Sequence, residues 1–266
     1  MPDDPVLLSE NHNGVLKLTL NRPKANAFNF ELIAALTSAL KNAGRDPAVR
    51  CVLLTGTGEV FSAGQDVHDF GRAAAESDLT IRQHLQRTYN PLILELRRLE
   101  KPVLAAVNGP VAGAALGVAL ACDLRIAADT ARFVVGFLGL GLAPDSGVSL
   151  LLPALIGLGR AAEYAFNNQP ITAGQALAWG LVNRVVPAAE LDGAATAWAA
   201  ELAQGPLDAI GLTKRSFNKA VLPGLEQALD YEAHLQEIAA RGPDHSEGLQ
   251  AFLEKRRPDF TKVNPT

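Results

Sequence analysis

Short runs of apolar and β-branched residues recur along the first 190 residues, and between them apolar positions return every three or four residues. The first pattern is typical of strands and the second of helices. Strands are predicted at residues 14–20, 49–56, 101–107, 123–128, 131–135 and 181–187. Helices are predicted at residues 30–43, 79–98, 111–121, 148–152, 160–168 and 172–179. Because strands alternate with helices, we expect an α/β fold with much parallel strand pairing.

The pattern changes after about residue 188, where strand-like runs stop and helical periodicity continues to about residue 254. Glycine–proline pairs, which end helices, interrupt this region three times. They are Gly205-Pro206, Pro223-Gly224 and Gly242-Pro243. We therefore divide the chain into an α/β core at residues 1–187 and a helical region at residues 188–266.

Composition narrows the classes of function. With 48% hydrophobic and 20% charged residues, the 266-residue chain is expected to fold around a substantial core. A net charge of −4 argues against a nucleic-acid-binding protein, which usually presents a basic face. The first residues, MPDDPVLLSE, lack the basic and apolar segments of a secretory signal, so we expect a cytoplasmic protein. Cys51 and Cys122 lie in apolar runs and are expected to be reduced core residues.

Residues 133–159 contain a single ionisable side chain, that of Asp145. Six glycines, Pro144, Pro153 and the aspartate itself argue against a membrane-spanning helix. Asp145 follows Pro144 and precedes a helical run, so it is a candidate helix N-cap. An aspartate in apolar surroundings is also a candidate general base with a raised pKa. The residues alone leave both roles open.

Three other motifs are weighed and set aside. GLGRAA, at residues 157–162, matches a dinucleotide-binding pattern, but no acidic residue follows at the spacing that binds the ribose. The cluster QDVHD, at residues 65–69, lacks a recognisable metal-ligand spacing, and we predict no metal site. Ser62, Ser146 and Ser149 lie outside the nucleophile motif of hydrolases, although a triad of distant residues stays open.

Two glycine-containing segments are more informative about chemistry. FSAGQDV, at residues 61–67, and NGPVAGAALGVALACD, at residues 108–123, each follow an apolar strand. Small residues permit tight turns and close packing, but they also leave backbone N–H groups open to a ligand. The second segment begins a helix, whose dipole favours negative charge at this end. Two such N–H groups that converge on one oxygen would form an oxyanion hole.

Five collinear segments resemble the crotonase superfamily, the enoyl-CoA hydratase/isomerase family, over residues 6 to 262. They are LTLNRPKANAF, LLTGTGEVFSAGQDV, KPVLAAVNGPVAGAALGVALACDLRIAADTARF, LGLAPDSG and ITAGQALAWGLVNRVVP. The resemblance implies a spiral of ββα units, acyl-CoA thioesters as substrates, and a C-terminal helical region that packs in a homotrimer. It also implies hexamers built as dimers of trimers.

The same resemblance assigns binding roles to individual residues. The two backbone donors of the oxyanion hole fall on Gln65, in SAGQD, and Ala114, in VAGAAL. The segments that bind CoA in the family match five further residues of this chain, the last two reaching CoA on a neighbouring subunit. These are Ala25, Ala63, Asp66, Phe252 and Lys255.

The catalytic positions depart from the family's hydratases, which use two glutamates. Collinear matching puts Gly117 and Phe137 at those positions, and neither can transfer a proton. FLGLGLAPDSG instead resembles the isomerases of the phenylacetate pathway, which carry an aspartate at the place of Asp145. The resemblance therefore implies that Asp145 is a single catalytic acid/base, with Phe137 and Gly117 at the acyl pocket.

The function expected from this resemblance is isomerisation of acyl-CoA. The reaction converts a ring epoxide of phenylacetyl-CoA to an oxepin, shifts a 3-enoyl-CoA double bond to the 2-position, or does both. No cofactor, metal, nucleic acid or membrane is expected to take part. Two alternatives stay open: hydration or another crotonase reaction with an atypical acid/base, and a non-catalytic acyl-CoA-binding protein.

Overall fold

A six-stranded sheet forms the centre of the computed structural model, which describes residues 4–68 and 79–262. In spatial order its strands are β1 (Leu7–His12), β2 (Val15–Leu20), β3 (Cys51–Gly56), β4 (Val103–Val107), β6 (Leu124–Ala128) and β9 (Arg184–Val186). Strand β1 pairs antiparallel with β2, and the other neighbouring strands pair in parallel. The predicted α/β fold with mostly parallel pairing is confirmed.

A second, three-stranded sheet lies beside the first and was only partly predicted. It contains β5 (Val111–Ala112), β7 (Arg132–Val134) and β8 (Ile171–Thr172), with β7 in the middle. Isolated bridges join Phe28 to Gln65 and Ser62 to Val111. These bridges pair the segment after β3 with Phe28 and with β5.

Helices cover both faces of the main sheet. They are α1 (Pro23–Asn26), α2 (Phe30–Arg45), α3 (Ile81–Arg87), α4 (Tyr89–Arg98), α5 (Ala114–Ala121), α6 (Val148–Ile156), α7 (Leu158–Asn167), α8 (Ala173–Ala178), α9 (Leu191–Ala203), α10 (Leu207–Val221), α11 (Leu225–Ala240) and α12 (Pro243–Leu253). The helix predicted at residues 79–98 is two helices, and the three glycine–proline breaks of the C-terminal region are confirmed.

Alternate residues of the central strands enter two different hydrophobic clusters, because successive strand side chains point to opposite faces. Val52 and Leu54 of β3 belong to a large cluster, whereas Cys51 and Leu53 belong to a smaller one. Helix α9 covers the smaller cluster with Leu191, Ala195, Trp198 and Ala199. The boundary at residues 187 and 188 is therefore a change of secondary structure and not a gap in packing.

Cys51 and Cys122 are both buried and unpaired, and burial raises the pKa of each thiol to about 12.

Within residues 4–68 and 79–262, no helix has the length and apolar character needed to cross a membrane. The same residues contain no cluster of three His, Cys, Asp or Glu side chains suited to a metal ion, and Asp69 of the QDVHD motif lies outside them.

Candidate active site

A cavity of about 490 Å³ lies at one end of the sheets, between the segment after β3 and the C-terminal helices. The start of α5, the loop from Gly136 to Asp145, helices α3 and α4, and helices α11 and α12 complete its wall. Most of the lining is apolar. The polar side chains in it include those of Gln65, His84, Tyr89, Asp145 and Gln236.

Close contact between two backbone segments forms the inner end of this cavity. Gly64 has a φ of +90°, and a Cβ added there would lie 2.7 Å from the carbonyl oxygen of Ala112 and 3.6 Å from the nitrogen of Ala114. Gly136 approaches the same place, since its Cβ would lie 3.3 Å from the nitrogen of Gly113. Glycine is therefore required at Gly64 both for its backbone conformation and for the space.

The N–H groups of Gln65 and Ala114 have no hydrogen-bond acceptor among the described residues. Their neighbours do: the Gly113 N–H donates to Val134, and the Asp66 N–H donates to Phe28. Ala114 is also the first residue of α5, where the helix dipole favours negative charge. Two fixed donors in an apolar cavity can bind an oxygen that gains negative charge during a reaction.

The side chain of Gln65 holds this backbone in place. Its Nε2 donates to the carbonyl oxygens of Phe28 and Asp66, at 3.2 and 3.1 Å. Its Oε1 lies 2.9 Å from Nε2 of His84, which must carry the proton of that hydrogen bond. Because Nε2 of Gln65 is bound to two carbonyl oxygens, the amide presents Oε1 to the His84 ring.

Asp145 lies in the cavity wall with only 7% of its surface exposed. Its Oδ1 accepts a hydrogen bond from the Ser146 hydroxyl, and its Oδ2 accepts one from Nε2 of Gln236, each at 2.7 Å. Ser146 adopts a left-handed conformation with a φ of +55°, which is uncommon for a residue with a side chain. This turn and helix α11 together fix the position of the carboxyl group.

The pKa of Asp145 is raised to about 7. Burial is the main cause, because it disfavours the charged form, and the negative charge of Glu232 adds to it. The hydrogen bonds from Ser146 and Gln236 act in the opposite direction. A carboxyl group that titrates near neutral pH can both accept and return a proton under ordinary conditions.

The alternative role of Asp145 as a helix cap is wrong. The N-cap of α6 is Gly147, and no side chain of the turn caps the helix. Instead the Glu232 carboxylate, from α11, accepts hydrogen bonds from the N–H groups of Gly147 and Ser149, at 2.8 and 2.9 Å. Asp145 is therefore free of the capping role and faces the cavity.

The two positions that replace the family's glutamates differ in their surroundings. Phe137 lines the cavity, next to the start of α5. Gly117, also expected at the acyl pocket, is not part of the lining. It lies behind Ser146, and a Cβ added to it would overlap the Ser146 carbonyl oxygen and lie 2.7 Å from the Ser146 Cβ. A glutamate at residue 117 has no room in this arrangement.

The five residues matched to CoA contacts fall into two groups. Ala25 and Ala63 are joined by a hydrogen bond from the Ala63 N–H to the Ala25 carbonyl oxygen, at 3.0 Å, and Asp66 forms an ion pair with Arg22. Phe252 lines the cavity from α12 with 54% of its surface exposed, and Lys255 follows that helix. Of the five, Ala63 and Phe252 line the cavity.

Glu232, Gln236 and Tyr89 are site residues that sequence reasoning missed. The first two lie on α11, about ninety residues after Asp145. A signal was present, because Leu225, Leu229, Glu232 and Gln236 share one helix face. Polar residues on an otherwise apolar helix face are expected to be buried for a reason.

Comparison with known proteins agrees with this geometry. The model of the family described as "Enoyl-CoA hydratase/isomerase" matches residues 10–263. The chain is 43% identical to the 1,2-epoxyphenylacetyl-CoA isomerase of Escherichia coli K12, covering 96% of this chain and 98% of the relative. It is 35% identical to the trans-2-decenoyl-[acyl-carrier-protein] isomerase of Streptococcus mutans, covering 94% and 95%.

Solved structures extend the same comparison to the fold. An enoyl-CoA hydratase from Mycobacterium avium subsp. paratuberculosis K-10 superposes with a TM-score of 0.87 at 35% identity, covering 97% of this chain and 99% of the other. The fold is therefore the crotonase fold that the sequence implied. The chain belongs to the enoyl-CoA hydratase/isomerase family and is an enzyme of that family.

Proposed function

We propose that this enzyme isomerises acyl-CoA thioesters with Asp145 as its single acid/base. The proposed reactions are the conversion of a phenylacetyl-CoA ring epoxide to an oxepin and the shift of a double bond from the 3- to the 2-position of an enoyl-CoA. The 43% identical relative is named as the isomerase of the first kind, which supports that substrate class.

One observation carries the proposal: among the described residues that line the cavity, Asp145 is the only carboxylate. Hydration in this family uses two carboxylates to hold and activate water, and this cavity offers one. An isomerase needs no more than one, because the group that removes the proton can also return it. A side chain with a pKa of about 7 suits both steps.

The first step of the proposed reaction uses the oxyanion hole. The thioester carbonyl oxygen accepts hydrogen bonds from the N–H groups of Gln65 and Ala114. These donors stabilise the enolate that forms when a proton leaves the neighbouring carbon, C2. The Asp145 carboxylate takes that proton, and the C–H electron pair becomes part of the enolate.

The second step returns the same proton elsewhere on the substrate. In a 3-enoyl-CoA the enolate electrons are delocalised to C4, where protonated Asp145 delivers the proton and the double bond becomes that of a 2-enoyl-CoA. In a ring epoxide the proton is returned to the ring while the carbon–carbon bond of the epoxide opens. Neither reaction consumes a cofactor, because substrate and product are isomers.

Coenzyme A and a second subunit complete the proposal. Ala25, Ala63 and Asp66 would bind the adenine and pyrophosphate end of CoA, and Phe252 and Lys255 would reach CoA on a neighbouring subunit. A homotrimer or hexamer is supported by large apolar side chains that the single chain leaves exposed. They include Leu212, Phe217 and Val221 on α10 and Leu253 on α12. Light scattering should give a mass of three or six chains.

A screen of product identity tests the reaction. The purified enzyme is incubated separately with a ring-epoxide phenylacetyl-CoA, a 3-enoyl-CoA and a 2-enoyl-CoA, and the products are identified by mass spectrometry and NMR. We expect isomers of the first two substrates, with masses unchanged. A product from 2-enoyl-CoA that is heavier by one water, formed faster than either isomer, would show that hydration is the main reaction.

A further inference from the structure

Two buried polar atoms of the cavity wall have no hydrogen-bond partner among the described residues. One is the hydroxyl of Tyr89 and the other is Oε1 of Gln236. Each side chain is 1% exposed, and both line the cavity that contains Asp145. A buried polar atom without a partner costs free energy, and such atoms are therefore rare unless a ligand pairs with them.

The orientation of Gln236 follows from its neighbour. Gln236 makes its hydrogen bond to Oδ2 of Asp145, and only the amide N–H₂ group can donate to a carboxylate. While Asp145 is ionised, Oε1 must therefore point away from it. Gln236 thus offers an acceptor beside the catalytic carboxyl group.

The Tyr89 hydroxyl supplies a donor in the same region. The ring is fixed by edge contacts with Phe28 and His84, with centroids 6.1 and 5.7 Å apart. The nearby charge of Asp145 is among the causes that raise the pKa of Tyr89, after burial. The hydroxyl is therefore protonated at neutral pH, when it can donate a hydrogen bond.

From this donor and this acceptor we infer that Tyr89 and Gln236 form a second oxygen subsite, which binds a hydroxyl group on the acyl part of the substrate. A hydroxyl oxygen accepts from Tyr89 while its proton is donated to Oε1 of Gln236. An acyl group that carries only hydrogen at that position leaves both atoms unpaired. The inference rests on the proposed function, because it places the carbon next to the thioester at Asp145.

The place of the oxygen on the ligand follows from the position of Asp145. Asp145 must reach C2, and the subsite adjoins Asp145 through Gln236. The oxygen is therefore expected a few bonds beyond C2, and an oxygen on the ortho carbon of a phenylacetyl group lies three bonds from C2. The matched probes are 2-hydroxyphenylacetyl-CoA and phenylacetyl-CoA, which differ by one oxygen atom.

Binding of these two probes, measured by isothermal titration calorimetry, tests the inference. We expect the enzyme to bind 2-hydroxyphenylacetyl-CoA roughly tenfold more tightly than phenylacetyl-CoA, from two net hydrogen bonds. Tyr89→Phe and Gln236→Met should each reduce this preference to roughly threefold or less. Tyr89→Phe should not change the dissociation constant of phenylacetyl-CoA by more than about twofold, since the Tyr89 hydroxyl has no partner in that complex.

Tyr231→Phe is the matched control, because Tyr231 is 62% exposed on the outer face of α11. It should keep the full preference for the hydroxyl probe. Equal binding of both probes by the parent enzyme, or an equal loss of both in Tyr89→Phe, would overturn the subsite.

Failure of the proposed function would look different. Isomerisation of a 3-enoyl-CoA, which has no oxygen on its acyl chain, is measured on the same preparation. Activity without a hydroxyl preference overturns the subsite alone. A hydroxyl preference without isomerisation overturns the function alone.

Discussion

Helices α5 and α6 begin in similar ways, and their first turns differ in what binds the backbone N–H groups. Both helices lack charged residues, and each follows a glycine with positive φ, +57° at Gly113 and +80° at Gly147. Neither glycine provides a side-chain cap. At α6 the carboxylate of Glu232 binds the N–H groups of Gly147 and Ser149. At α5 the Ala114 N–H has no acceptor in the described part of the chain.

Under the proposed function, the start of α6 serves the structure and the start of α5 serves the reaction. The start of α6 is satisfied within the protein, and it holds the turn that carries Asp145. The start of α5 opens into the cavity, where its N–H group and that of Gln65 can bind a substrate oxygen. An unsatisfied N–H group costs free energy, and an oxyanion bound by the proposed donors would offset that cost.

Of the changes at these two helix starts, removing the donor at α5 should have the largest effect on activity. Proline is tolerated at the first residue of a helix, so Ala114→Pro should keep α5 while it removes the N–H group. We expect the isomerisation kcat to fall by roughly 10²–10³-fold, with binding of CoA itself retained. Steady-state kinetics with a 3-enoyl-CoA and calorimetry with CoA measure the two quantities.

Leu158→Pro is the control for the proline itself. Leu158 is the first residue of α7, and 74% of its surface is exposed. That variant should isomerise at close to the parent rate. Unchanged kinetics in Ala114→Pro would show that the oxyanion donor is wrongly placed.

Gly117, in α5, packs against the turn that carries Asp145, and this contact provides a second test. Gly117→Ala introduces a Cβ that overlaps Ser146, whose hydroxyl donates to Asp145. We expect a loss of about 1–3 kcal/mol in the free energy of unfolding, as in other overpacked cores, together with a lower kcat. Urea denaturation and the 3-enoyl-CoA assay test both.

The matched control is Gly159→Ala, in α7. A Cβ at Gly159 meets nothing within 4 Å, so alanine should leave stability unchanged or raise it by up to about 1 kcal/mol. Equal effects of the two substitutions would mean that Gly117 is not under steric constraint.

Substitution of Glu232, which binds the N–H groups at the start of α6, should have a smaller and more specific effect on activity. Activity that depends on ionised Asp145 should rise with pH through the pKa of that group, about 7. Glu232→Gln removes the negative charge that raises this pKa, so the inflection of kcat/KM should move to lower pH. It also leaves one N–H group of the turn without its acceptor, which should reduce the free energy of unfolding by about 1–3 kcal/mol.

Glu226→Gln separates this effect from a general change of charge on α11. Glu226 lies on the surface of the same helix, paired with Arg98. Its substitution should leave the inflection in place. An inflection that stays fixed in Glu232→Gln would show that the profile reports a group other than Asp145.

The fold was predictable wherever local patterns agree with tertiary contacts. All six predicted strand runs became strands: five of them, such as 49–56 and 101–107, lie in the six-stranded sheet, and the run at 131–135 became β7 of the smaller sheet. Strand β1 was missed because its residues, LLSENH, are mostly polar and lie at the edge of the sheet. The two-residue strands β5 and β8 are too short to give a periodic signal.

The candidate site was predictable only in part, for a related reason. Asp145 was conspicuous because its neighbours in sequence are apolar, and the glycine-containing segments suggested open N–H groups. Glu232 and Gln236 approach Asp145 only through the packing of α11, about ninety residues later in the chain. Local sequence contains no information on that contact. It therefore could not show that Glu232, and not Asp145, binds the N–H groups at the start of α6.

Asp145→Asn tests whether the Asp145 carboxyl group is buried with a raised pKa, as the proposed acid/base requires. Burial raises the pKa of Asp145, so the parent protein should lose stability as pH rises from about 4 to about 7, where the folded protein must ionise a buried group. Asparagine has no such charge. The variant should therefore remain folded, and its melting temperature should exceed that of the parent by more at pH 8 than at pH 5.

The most direct measurement is hydrogen exchange at C2 of bound phenylacetyl-CoA in D₂O, followed by NMR. It reports proton removal alone, because this thioester has no double bond to shift. We predict rapid exchange by the parent enzyme and a roughly 10²–10⁴-fold slower exchange by Asp145→Asn, at equal occupancy of the site. Exchange at the parent rate in the Asn variant would contradict the assignment of Asp145 as the acid/base.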